Sequence, residues 1–167
     1  MNPAHWHLLL NHVPVIGMMI GVLLLLWAVL RSSEELKKTS LGVLVIAAAF
    51  AIPAYLTGEP AEEVAEYLPG VTHALIERHE DFAKIALVVA GLTGLIALGA
   101  WLFQHRAKWL VPMTLVFGLV ATGLLGYAAN LGGQIRHTEI RANATAAGEA
   151  MTTEGQKSSE KKKENDH

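Results

Sequence analysis

The sequence predicts an all-α integral membrane protein: a four-helix bundle over residues 1–141 and a disordered polar tail over 142–167. Three observations carry this. Of the residues, 52% are hydrophobic and the mean hydropathy is +0.36, high for a soluble domain of this length. The apolar residues fall in four charge-free blocks, 13–30, 41–56, 85–103 and 110–131, each near the roughly 20 residues that a helix needs to cross a bilayer core. From Ala142 onward the chain is small and polar and ends GQKSSEKKKENDH. Such a composition cannot bury enough apolar area to offset its ordering entropy.

The helices are expected at about 12–31, 40–57, 73–104 and 110–132. Asn11 is a candidate cap for the first, with Pro14 in its first turn, where a missing N–H costs little. This block reads as a span and not as a signal peptide. No basic stretch precedes it, the apolar run is too long, and no small-residue cleavage site follows. Pro53 falls inside the second helix, which Gly58 and Pro60 should stop. The stretch AEEVAEYL, 61–68, reads as a short amphipathic surface helix. Thr72 is placed to cap the third long helix, on which Glu80 and Lys84 stand four apart as a supporting pair. Pro112 opens the fourth.

Orientation follows from loop charge. The loop RSSEELKKTS carries Arg31, Lys37 and Lys38, and QHRAKW carries Arg106 and Lys108. The segment 58–81 has Arg78 alone against many carboxylates, and no Lys or Arg precedes the first block. The positive-inside rule then places both termini outside the membrane, with the two basic loops in the cytoplasm. Arg136 and Arg141, close after the fourth helix, run against that trend. Trp27, Trp101 and Trp109 would form the inner aromatic belt; Trp6, Tyr55 and Tyr127 would form the outer one.

The chain has no cysteine and eight histidines. Without cysteine there is no iron–sulfur ligation, no thiolate metal site, no disulfide and no covalent c-type haem. Among redox sites, non-covalent haem on histidine or a metal held by imidazole and carboxylate remains. His5, His7, His12, His73, His79 and His137 fall on the outer side, as does His167 in the tail, and only His105 falls inside. His12, His79 and His137 lie near a membrane boundary on three different helices. Down the helix from His79 the same face carries Phe82, Ala83, Ala86, Ala90, Thr93 and Gly94. Helix four carries Gly118, Gly123, Gly126, Gly132 and Gly133. Small residues leave room for a flat cofactor, and they are equally what helix packing in membranes demands. Arg136, beside His137, could pair with a haem propionate.

The stretch HLLLNHVP, 7–14, resembles the H-P-x-x-x-H-x-P signature of the domain-of-unknown-function 2231 membrane proteins, with Leu8 where that family commonly has proline. The resemblance covers about residues 5–141. It includes Thr57-Gly58 closing helix two, His79 opening helix three, and Gly132-Gly133 followed by His137 after helix four. The family is four-helical, is suspected of binding b-type haem, and includes members joined to Rieske-type domains. The resemblance therefore implies electron transfer.

His7 and His12, five apart on one helix, point about 140° apart, so they should not bind one iron together. The expected axial ligands are His12, His79 and His137, followed by His7 and then His73; His5 and His105 read as surface residues. One or two haem b groups are expected. The reading is a cytochrome b-like electron-transfer subunit of a larger respiratory or redox complex in a bacterial inner membrane. It would be multi-pass and in contact with lipid, with an outer-face carrier, partner subunits or quinone as partners and no nucleic acid. No nucleophile–base pair, phosphate loop or zinc-protease motif marks an enzyme. Two alternatives stand. One is a metal-handling membrane protein using the same histidines with Glu80 or Asp81, and the other is a cofactor-free scaffold or assembly subunit.

Overall fold

The computed structural model describes residues 2–67, 71–103 and 108–141. The expected tail, His105 and most of the loop between the last two long helices lie outside them. The elements are α1 (Pro3–Leu30), α2 (Glu34–Leu56), the short α3 (Gly58–Ala65), α4 (His73–Leu102) and α5 (Leu110–Arg136), with a single 3₁₀ turn at Thr138–Ile140. Helices α1, α2, α4 and α5 are each long and apolar enough to cross a membrane. They alternate up and down. Around the bundle, α1 packs on α2, α2 on α4, α4 on α5 and α5 back on α1, so that α1 lies diagonally across from α4. Helix α3 covers the open end of α1.

Two helices begin earlier than expected. α1 starts at Pro3, nine residues before His12, because Asn2 caps it: the Asn2 side chain accepts the His5 N–H at 3.0 Å, and Pro3 follows at the first helical position, where its fixed φ is already helical. Asn11 is therefore an interior residue and Pro14 lies inside the helix. α2 starts at Glu34, six residues before the expected point. The Ser33 hydroxyl accepts the Leu36 N–H at 3.3 Å, and Glu34 and Glu35 occupy the first turn, where carboxylates complement the helix dipole. A cap and a favourable first turn extend a helix into water beyond the bilayer's requirement. At its far end α5 runs past Gly132, where the apolar run stops, and continues through Gly133 to Arg136. There Arg141 folds back and donates to the carbonyls of Gln134 (2.8 Å) and Ile135 (3.2 Å), two of the acceptors that a helix end leaves open.

The turn between α1 and α2 is a Schellman motif. The Ser33 N–H reaches Ala28 O at 3.0 Å and the Ser32 N–H reaches Val29 O at 3.2 Å. Ser32 holds a φ of 51°, the left-handed conformation that costs a residue with a Cβ about 1–2 kcal/mol. Ser32→Gly is expected to stabilise the protein by about 1 kcal/mol, and Ser33→Ala to destabilise it by about as much through loss of the cap. Thermal unfolding in detergent reads both.

The core is built from small residues at heptad spacing. Inward positions recur every seven residues: Pro14, Gly21 and Ala28 on α1; Ser40, Ala47 and Ala54 on α2; Ala86, Thr93 and Ala100 on α4; Thr114, Ala121 and Ala128 on α5, all buried. A seven-residue period is that of helices in left-handed contact. Met18, Leu25, Leu41 and Leu44 fill in beside these small residues, while many other bulky residues point the other way: Leu23, Leu95, Val116 and Leu119 are all more than half exposed. In water this arrangement would be inverted. In lipid, where tails are as apolar as leucine, helices associate through close approach of small residues. The three buried hydroxyls are satisfied within their own helices, as the absence of water in a bilayer requires. Ser40 donates to Leu36 O at 2.6 Å, Thr93 to Val89 O at 2.8 Å and Thr114 to Leu110 O at 2.8 Å.

The short surface helix expected at 61–68 runs instead over Gly58–Ala65. α2 stops at Leu56, and Thr57 serves both as its C-cap and as the residue before α3. Thr72 occupies the N-cap position of α4, without a side-chain capping bond. Lys84 pairs with Glu80 at 3.0 Å; both are exposed enough for the pair to contribute little to stability.

Candidate functional site

Extending the heptad series one step toward the end of the bundle that bears α3 reaches His7 on α1 and His79 on α4. These two helices are diagonal, so the two rings approach across the bundle axis. Their centroids are 6.4 Å apart and the ring planes cross at 86°.

Each ring is held by a backbone carbonyl. His7 Nδ1–H donates to Ala54 O at 2.9 Å, with the Thr57 hydroxyl oxygen at 3.3 Å. Ala54 O is one of the last carbonyls of α2, where the helix no longer supplies a donor; the Thr57 hydroxyl also lies within reach of it, at 2.9 Å. His79 Nδ1–H donates to Ala128 O on α5 at 2.9 Å. A carbonyl can only accept, so both rings carry their proton on Nδ1 and present a lone pair on Nε2. Neither Nε2 has a hydrogen-bond partner among the described residues. This is the arrangement in which imidazole serves a metal, with one nitrogen fixed by a carbonyl and the other free.

Both rings border a cavity of about 70 Å³. Its walls are mostly small: Ala51 and Ala54 from α2, Ala83 and Ala86 from α4, Ala128 and Ala129 from α5. Pro14, Val15, Leu87 and Leu125 complete the apolar lining, and Asn11 and Tyr55 supply the polar groups. Two glycines back the rings. A Cβ on Gly132 would stand 3.2 Å from His79 Cε1, and one on Gly58 would stand 3.7 Å from His7 Cε1. Two metal–nitrogen bonds of about 2 Å to one ion would place two imidazole centroids up to about 6 Å apart, so at their observed separation His7 and His79 could hold one metal centre between them.

Outside the cavity lining, α4 and α5 are joined by Arg78, whose Nη2 donates to the Tyr127 hydroxyl at 2.6 Å, and by Phe82, which packs edge-on to Tyr127 at 4.6 Å between centroids. Below the cavity the small-residue stripes pack helix on helix. Gly94 faces Ala48 and Gly118 faces Val22 and Thr93, with no space left over. Gly123 and Gly126 have nothing within 4 Å and face outward.

The other expected site residues stand apart. His12 is exposed, and its Nδ1 bonds the Leu8 carbonyl one turn back on the same helix. His137 is exposed at the end of α5, with Nδ1 2.8 Å from Glu139 Oε1. That contact and the Glu139 backbone N–H, which contributes more, hold the Glu139 carboxyl below its ordinary value. Arg136 is exposed on the last turn of α5, and His5 is exposed on α1. His73 begins α4 next to Glu62 and Glu66, away from the paired rings. The structure thus brings together His7 and His79 and does not bring His12 or His137 to them. Read from the sequence alone, His7 ranks below His12 because it lies farther from the start of the apolar run. The seven-residue series His7, Pro14, Gly21, Ala28 is the signal that places it inside. Of the residues quoted for the resemblance, His7, Thr57, Gly58, His79 and Gly132 lie at the two rings, whereas His12 and His137 do not.

Comparison with known proteins found no matching family model, no matching curated protein and no matching solved structure.

Proposed function

We propose that this chain is a membrane electron-transfer protein of the cytochrome b-like kind, holding one b-type haem between His7 and His79. The observation that carries the reading is the pair itself: two imidazoles on diagonal helices, each with Nδ1–H committed to a carbonyl and Nε2 free, at a separation that suits one iron. The donor set fits haem iron, which the neutral imidazoles of His7 and His79 would hold. The resemblance to the domain-of-unknown-function 2231 proteins points the same way. Bound haem would supply a one-electron iron couple. The protein's part is to fix both ring orientations through Ala54 and Ala128, and to keep the site dry with alanine, leucine and proline.

The site lies at the end of the bundle opposite the basic residues Arg31, Lys37, Lys38 and Lys108. By the positive-inside rule we place that end, with both termini, outside a bacterial inner membrane, where an outer-face carrier, a partner subunit or quinol exchanges the electron. Cysteines introduced at Glu35 and Glu63, both exposed, test this in intact cells with a membrane-impermeant maleimide. Labelling is expected at position 63 alone; labelling at position 35 alone inverts the orientation.

One observation favours a second reading, a metal-handling protein that binds a bare ion at the same imidazoles. The cavity, about 70 Å³, accepts an ion, whereas pockets for ligands of macrocycle size run to about 300–1,000 Å³. Seating a porphyrin requires the alanine-lined walls of α2 and α5 to draw apart. The absorption spectrum of protein purified from haem-replete cells separates the readings. A Soret band with a sharp reduced α band supports haem. A colourless protein carrying stoichiometric copper or zinc supports the bare ion, and one carrying neither supports a scaffold.

A further inference from the structure

A second group of metal-ligating side chains lies outside the paired rings, on the same end of the molecule. Glu62 is on α3, Glu66 caps its last turn, and His73 opens α4. One ligand atom from each lies within 4.8 Å of the other two. The two carboxylates are four residues apart and so share a helix face, and the imidazole arrives from a different element. No ion pair reaches Glu62, Glu66 or His73 among the described residues.

We propose that Glu62, Glu66 and His73 form a divalent-metal site of the zinc class on the outer surface, separate from the imidazole pair. The chemistry of the donors selects the ion. One imidazole and two carboxylates suit Zn²⁺, whereas Ca²⁺ and Mg²⁺ take oxygen ligands alone. Ligands around a tetrahedral zinc stand about 3.3 Å apart when the bonds are about 2 Å, so the observed spread closes with rotation of the two flexible glutamates. Three protein ligands leave the fourth position to water. The local charge balance favours a cation, since Glu59, Glu62, Glu63 and Glu66 crowd this short stretch with carboxylates. A bound divalent ion would tie the end of α3 to the start of α4 across residues 68–70.

The test is a zinc chloride titration of the full chain in detergent micelles, followed by calorimetry. Saturable binding is expected that falls at least tenfold in affinity in His73→Ala and in Glu66→Gln, while Glu63→Gln, on the same helix but outside the trio, leaves it unchanged. Both lost positions are exposed, so folding should survive; the thermal unfolding midpoint without zinc confirms this in each variant. No saturable zinc binding by the unaltered chain overturns the site. Binding that persists undiminished in both His73→Ala and Glu66→Gln also overturns it, by assigning the zinc to other histidines. Neither result bears on the imidazole pair, which retains His7 and His79 in every variant.

Discussion

Protein carrying His79→Ala is expected to fold and insert but to lose its low-spin haem spectrum. If the two rings hold haem iron as proposed, removing one would leave the iron with a single imidazole, so haem per folded protein should fall by well over tenfold or the remainder should turn high-spin. Changing an outer partner of a metal-bound histidine already costs about 10–100-fold in metal affinity, and a direct ligand must exceed that. The fold should tolerate the change. His79 makes one hydrogen bond to Ala128 O, worth about 0.5–1.5 kcal/mol net, and its ring is only partly buried. His7→Ala is expected to behave alike, with Ala54 O losing its imidazole donor. His12→Ala and His137→Ala should leave the spectrum unchanged, since both rings are exposed and bonded to their own helix or its end. A normal low-spin spectrum in both His7→Ala and His79→Ala, with loss in His12→Ala or His137→Ala, would sink the assignment. If a bare ion occupies the site instead, the same four variants sort metal content in the same order without any haem absorbance.

Gly94→Ala is expected to be the most damaging single-methyl change in the bundle. The added Cβ would sit 2.5 Å from Ala48 Cβ, below any real carbon contact. The obstacle is not the far end of a flexible side chain but a Cβ fixed to the α2 backbone, so α2 and α4 must move apart. Overpacking of this kind costs about 1–3 kcal/mol, and Gly94→Leu should exceed it. Gly42 and Gly91 lie in the same two helices with nothing within 4 Å of a Cβ. Their alanine variants should be neutral or more stable, because glycine is about 1 kcal/mol worse than alanine in a helix interior. Unfolding of the four variants in mixed micelles, compared side by side, reads the difference. Equal stability of Gly94→Ala and Gly91→Ala would show that α2 and α4 do not meet at that point.

These glycines and histidines differ in how far the sequence reveals them. That Gly94 belongs to a packing stripe is readable from Ala83, Ala86, Ala90 and Thr93 on one helical face. That the stripe packs closed at Gly94 yet borders a cavity at Ala83 and Ala86 is not, because the difference depends on what α2 and α5 place opposite. The same limit applies to the histidines. Depth follows from position along an apolar run, so a layer of histidines at one end of the bundle is visible. Direction into or out of the bundle requires the helix start and the facing partner. Taking Asn11 as the cap misplaces the start of α1, although Asn2-Pro3 carries the stronger cap signal.

By itself the sequence determined the four apolar spans, their alternation, the distribution of basic loops, and the absence of every cysteine-based cofactor site. These depend on local composition and on the length a bilayer imposes, and a single chain states both directly. Only the tertiary structure decided that His7 and not His12 faces His79, that Ala54 and Ala128 lend their carbonyls to the two rings, and that Glu62 and Glu66 meet His73. Each of these is a meeting between residues that lie on different elements. A helix turns 100° per residue, so an error of one or two positions in its start, or a change of neighbour, swings a side chain from the axis to the lipid. Local pattern does not record which residues of a distant helix arrive on the other side.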